Sequence, residues 1–123
     1  MIKCHFVIDK THKNIKFKNI FLSKYKNYLA RLSNVIVVLG GDGFMLQTLK
    51  KFQKFNKPFY GINSGTFGFL MNKFKTNNIK KSISKAKPVS ISALEMHAVT
   101  INKVKKSAIA INEVSLLRQS KQA

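Results

Sequence analysis

Acidic side chains are almost missing from these 123 residues: Asp9, Asp42, Glu95 and Glu113 stand against 23 Lys and Arg, a formal charge of +19. Arginine is scarcer still, at Arg31 and Arg118 alone, so 21 of the 23 cations are lysine. A field this positive invites a nucleic-acid reading. Arginine, however, is the residue that supplies bidentate recognition of phosphates and bases. The lysines fall over residues 10–26, 50–57, 73–87 and 103–106, interleaved with apolar positions as solvated faces are. Specific nucleic-acid recognition is therefore not expected. Cysteine occurs once, at Cys4, which excludes a disulfide framework and suits a small core residue. His5, His12 and His97 show no metal-ligand spacing. No apolar run approaches the ~20 residues of a membrane span, and the start is too short and too polar for a signal peptide. The expectation is a cytoplasmic protein with no membrane partner. The length suffices for one domain with a real core.

What is there begins with Val35 to Leu39, five apolar and mostly β-branched residues in a row. Such a run predicts a parallel strand covered on both faces. It breaks into Gly40-Gly41-Asp42-Gly43, after which Met45, Leu46, Leu49 and Phe52 recur at helical intervals, with Gln47, Lys50, Lys51, Gln53 and Lys54 as the polar face. A glycine turn between strand and helix lets the backbone approach a ligand and leaves the first N–H groups of the helix free for a phosphate. Asp42 would repel that phosphate unless a divalent cation bridges the two, or unless the carboxylate faces a hydroxyl that must lose a proton. Both tasks belong to phosphoryl transfer. Asp42-Gly43 also fits a hairpin turn, but the residues that follow have a helical period. Neither G-x-x-x-x-G-K-[ST] nor the three-glycine dinucleotide fingerprint is present.

A second short strand, Pro58 to Ile62, runs into Asn63-Ser64-Gly65-Thr66-Phe67-Gly68-Phe69-Leu70, and a third segment reads Ile111-Asn112-Glu113-Val114-Ser115-Leu116-Leu117-Arg118. In an open α/β sheet, glycine loops at the ends of neighbouring strands line one crevice. Two of the four acids lie inside these motifs. Together G-G-D-G, G-x-N-x-G-x-x-G-F-L and the late N-E resemble the NAD kinase family, bacterial branch, in that family's order. The resemblance spans roughly residues 35–123.

It implies an enzyme that moves the γ-phosphoryl group of ATP, or in some members of polyphosphate, to the 2′-hydroxyl of the adenosine ribose of NAD. Asp42 matches the catalytic aspartate, as general base and possible Mg²⁺ ligand. Gly40, Gly41 and Gly43 match the backbone that meets the nucleotide, and Asn63, Gly65 and Gly68 the second loop. Phe69 matches an aromatic beside the bound nucleotide, and Asn112 with Glu113 the polar pair that reads its adenosine part. Phe44 departs from the usual threonine. Each residue also has a plainer reading: Phe69 and Leu70 as core, Asn63 as a turn cap, and Asn112 with Glu113 on opposite faces of one strand. Two other functions compete. A lipid kinase of the diacylglycerol type shares G-G-D-G but has a different second loop, and a basic nucleic-acid-binding module needs its lysines gathered on one face.

The predicted fold is a Rossmann-like open parallel sheet followed by the first hairpin of a truncated all-β domain. Residues 1–87 form the α/β part and 88–123 the start of the second. Strands are expected at Lys3 to Ile8 and at the two glycine motifs. A lysine-rich loop and helix should run to about Leu32, and a short helix from Asn78 to Ala86. The hairpin pairs Val89 to Ile101 with Ala108 to Leu117. Because the family's later segments have no counterpart, the chain reads as the N-terminal portion of a longer, homo-oligomeric enzyme whose partners are small nucleotides.

Overall fold

The computed structural model describes residues 1–10, 19–63, 69–73, 78–91 and 113–119. Three parallel strands, β1 (Cys4–Ile8), β2 (Val35–Leu39) and β3 (Phe59–Asn63), lie side by side in a six-stranded sheet with β1 at one edge. A two-residue strand, β4 (Asn72–Lys73), runs parallel to the end of β3. Beside the start of β3 lies β6 (Val114–Arg118), also parallel, with Phe59 opposite Leu116. The outer edge is β5 (Lys87–Ile91), antiparallel to β6. Helix α1 is described over residues 19–24; α2 is Asp42–Phe52 and α3 is Ile79–Lys85.

The uninterrupted apolar run of β2 is buried along its whole length because both faces are covered. Ile36 and Val38 face a cluster with Met45, Leu46 and Leu49 of α2, while Val35, Val37 and Leu39 face Phe21 of α1 and Ile79 and Ile83 of α3. That alternation is the two-residue period of a strand. The helical intervals of α2 do the same on their side: Met45, Leu46 and Leu49 are buried, Phe52 is half-buried, and Gln47, Lys50 and Lys51 are exposed. Helix α3 starts where Asn78 caps it, its side chain accepting the Lys81 N–H.

Two expectations change. The helix expected to reach about Leu32 stops after residue 24, and the chain runs along the free edge of β1 instead. Tyr28 N–H donates to the Cys4 carbonyl (2.9 Å), and Phe6 N–H donates to Asn27 Oδ1 (2.9 Å). Backbone groups on a strand edge need partners, and an irregular segment supplies them where a helix does not. The antiparallel pair appears as β5 and β6, and both strands join the sheet built by the preceding residues. Strand β5 also takes in Pro88, which the sequence places at a boundary. An edge strand tolerates proline because only one of its sides is paired. The turn expected between the two strands lies outside the described residues.

Candidate active site

The Gly40-Gly41-Asp42-Gly43 turn sits at the carboxyl end of β2. Gly40 N–H donates to the Ile62 carbonyl (3.1 Å), which ties the turn to the end of β3. Gly41 is the N-cap of α2, and Asp42 is the acid of its first turn, where the helix dipole favours negative charge. Asp42 is only 5% exposed. Its carboxylate reaches across to the end of the second glycine loop: Oδ2 accepts the Phe69 N–H (2.8 Å) and Oδ1 the Leu70 N–H (2.9 Å). The Phe69 carbonyl in turn accepts from Nη1 of Arg118, the last residue of β6. Burial pulls the Arg118 guanidinium below its ordinary pKa, and the negative charge of Asp42 pushes it back up.

The glycines divide into two kinds. A Cβ on Gly40 would come within 2.9 Å of Phe44 and 3.2 Å of Asp9, so packing requires that glycine. A Cβ on Gly41 or Gly43 would meet no described atom within 4 Å, and neither residue has a positive φ. Nothing in the described protein requires glycine at those two places. Phe44, beside Gly40, packs against the α2-side core.

The other expected residues scatter. Asn63 ends β3, opposite Lys73, at the same end of the sheet as the turn. Phe69 has a 63% exposed side chain beside Asp42, while Leu70 is core, so the two part company. Gly65, Gly68 and Asn112 lie outside the described residues. Glu113 is exposed at the start of β6, where it accepts from Ser90 Oγ (2.9 Å) and borders a groove of about 460 Å³ with Gln53 and Pro58. Five residues of strand, roughly 16 Å, separate it from Arg118. Because β6 is parallel to β3, its first residue lies at the end of the sheet away from the glycine turn. The described residues therefore bring Asp42, Gly41, Gly43, Phe69 and Asn63 to one end and leave Glu113 at the other.

Sequence reasoning missed Arg118 and Asn72 as site residues. Asn72 is fully buried where the neighbour of β3 changes from β6 to β4. Its Nδ2 donates to the carbonyls of Gly61 and Leu117 (both 3.0 Å), and Oδ1 accepts the Gln119 N–H (3.1 Å). The rarity of arginine was the one sequence signal for Arg118, and Asn72 gave none. Among the described residues no three His, Cys, Asp or Glu side chains gather as a metal site. A Mg²⁺ held by one carboxylate, substrate phosphates and water needs no such group. Asp42 suits that role, since each oxygen accepts one N–H and keeps a second acceptor position.

Residues 6–87 match the family model of the ATP-NAD kinase N-terminal domain. The NAD kinase of Brucella suis biovar 1 is 43% identical over 119 residues, 97% of this chain and 46% of that protein. The NAD kinase of Rhizobium meliloti is 48% identical over 91 residues (74% and 35%), and that of Mesorhizobium japonicum 50% over 88 residues (72% and 34%). The chain thus spans less than half the length of these relatives. No solved structure matches it. With the glycine turn, the clamped Asp42 and the second loop inside or at the edge of the matched region, the chain belongs to the NAD kinase family.

Proposed function

We propose that the protein carrying these residues transfers the γ-phosphoryl group of ATP to the 2′-hydroxyl of the NAD adenosine ribose, forming NADP, with Asp42 as the general base. The observation that carries this reading is the pairing of a fixed carboxylate with two glycines whose missing side chains serve no packing purpose among the described residues. A ligand seated against Gly41 and Gly43 places a hydroxyl beside Asp42, whose two backbone bonds fix the direction of its remaining acceptor positions. General-base assistance of this kind is worth ~10²- to 10⁴-fold. Mg²⁺, with Asp42 as its protein ligand, would neutralise phosphate charge during transfer. Asn63, Gly65, Gly68 and Phe69 complete the proposed nucleotide crevice. Asn112 and Glu113 stay in the proposal on the family resemblance alone. Homo-oligomeric assembly and a cytoplasmic setting belong to the same reading, as does an all-β unit opening near residue 88 whose first strands, β5 and β6, are shared with the parallel sheet.

Gly43→Ala in the complete protein tests it. Alanine at an exposed position in the first turn of a helix favours folding by up to about 1 kcal/mol. The variant should therefore melt at or above the wild-type temperature while losing NADP formation and NAD binding. Unchanged turnover and affinity in a stably folded Gly43→Ala protein would remove the turn from the ligand site.

A further inference from the structure

We propose that Arg118 is a positioning residue for Asp42, acting through the peptide bond between Phe69 and Leu70. The inference rests on the functional reading above. The two atoms concerned belong to one peptide unit: the carbonyl of Phe69 accepts from Arg118 Nη1, and the amide of Leu70 donates to Asp42 Oδ1. A peptide unit carries a dipole of ~3.5 D, with its negative pole at oxygen and its positive pole at N–H. Here a cation sits at the oxygen and an anion at the hydrogen, so both charges hold the same dipole in one direction. Each bond polarises the other. Asp42 and Arg118 are opposite charges bridged by one peptide unit.

This arrangement matters because the peptide is loaded at both ends, by Arg118 on the Phe69 carbonyl and by Asp42 on the Leu70 amide. The Phe69 side chain is exposed, whereas Leu70 and Met71 are core. Without Arg118, the carbonyl end of the peptide loses its charged donor and the Leu70–Asp42 bond weakens with it, which loosens one of the two bonds that orient the carboxylate. The requirement for arginine has a geometric side. The guanidinium is half-buried at the end of β6, its Nε has no partner among the described residues, and its flat fork gives a directed donor that a lysine ammonium lacks. In a chain with 21 lysines, one of only two arginines occupies this position.

The test compares Arg118→Met and Arg118→Lys in the complete protein, with steady-state kinetics for NAD and ATP, thermal melting and amide hydrogen exchange. Misplacement of a reacting group by about 1 Å costs on the order of 10²-fold. Arg118→Met should lower kcat by roughly 10- to 100-fold with KM for NAD within about twofold of wild type. It should also speed exchange at Leu70 selectively, while the amides of β2 and β3 keep their protection. Arg118→Lys should recover part of kcat, because it restores the charge at the carbonyl. In an Asp42→Ala background, Arg118→Met should cost little further, since both residues act as a unit. Unchanged Leu70 exchange in Arg118→Met overturns the proposal whatever the activity. Exchange rising across the whole sheet, with no recovery in Arg118→Lys, assigns Arg118 to fold stability and overturns it too. Failure of the wild-type protein to make NADP defeats the functional reading instead, and the exchange result still decides whether Arg118 holds Leu70.

Discussion

Replacing Asp42 by asparagine is the obvious way to remove a general base, and the structure predicts that it will not be silent. Both carboxylate oxygens accept backbone N–H groups, from Phe69 and Leu70. An amide of the same shape offers one accepting oxygen and one NH₂, so whichever way it turns, one donor faces another. The bond that survives falls from charge-assisted strength, about 1.5–3 kcal/mol, to neutral strength, about 1 kcal/mol. The bond that is lost leaves a partly or fully buried N–H without an acceptor, at about 1–3 kcal/mol. Together these come to about 3 kcal/mol, felt first at the 69–70 segment rather than across the sheet.

Amide exchange on the complete protein measures it. A local loss of about 3 kcal/mol corresponds to roughly 10²-fold faster opening at Leu70, with smaller changes in β2 and β3. NADP formation should fall by more than the ~10²- to 10⁴-fold of a lost base, because the carboxylate's supporting loop is disturbed as well. An Asp42→Asn protein with wild-type protection at Leu70 and an unchanged melting temperature would refute the clamp. Activity lost in such a protein would then report base chemistry alone.

Three further outcomes follow from other parts of the molecule. Asn72→Leu removes the three hydrogen bonds of a fully buried side chain at the point where β3 changes neighbours, and should destabilise the protein by about 3–5 kcal/mol in thermal or denaturant unfolding; a loss below 1 kcal/mol would show that the junction is held by packing. Cys4 is 1% exposed and burial pushes its thiol up to about 11 from an ordinary 9.0, so its contribution is complete below pH 9 and fades as pH rises through 11. The stability difference between wild type and Cys4→Ala should accordingly be flat to pH 9 and shrink by roughly 3 kcal/mol above it, and a flat difference to pH 11 would contradict the burial. The +19 charge should give weak, sequence-indifferent binding to DNA that vanishes at moderate salt, measurable by titration at two ionic strengths; selective binding that survives physiological salt would revive the nucleic-acid reading.

How far the residues alone reveal this molecule depends on whether a pattern is local. Strand β2 was legible to the residue because Val35 to Leu39 is apolar on both faces of the pleat, and α2 because its apolar spacing begins straight after the turn. Residues 25–29 were not, since they leave the helix to serve the edge of β1, a demand set by another segment. The same holds for Phe69 and Leu70, read alike from composition and separated by the fold into an exposed ring and a core side chain.

Asp42 was found through its glycines, but its partners were not, because a carboxylate's hydrogen bonds to backbone N–H groups leave no trace in side-chain identity. Arg118 lies between these cases. In a lysine-rich chain, an arginine marks a place where a point charge on a flexible stem is a poor substitute for a directed fork. Rarity by itself is a weak signal, though, since Arg31 is just as rare and sits exposed on the 3-10 turn Ala30–Leu32. What separates the two is the strand: β6 runs parallel to β3, so its last residue must arrive at the end of the sheet that carries the glycine turn. An arginine that ends such a strand is delivered to the site by topology, and one in a surface turn is not.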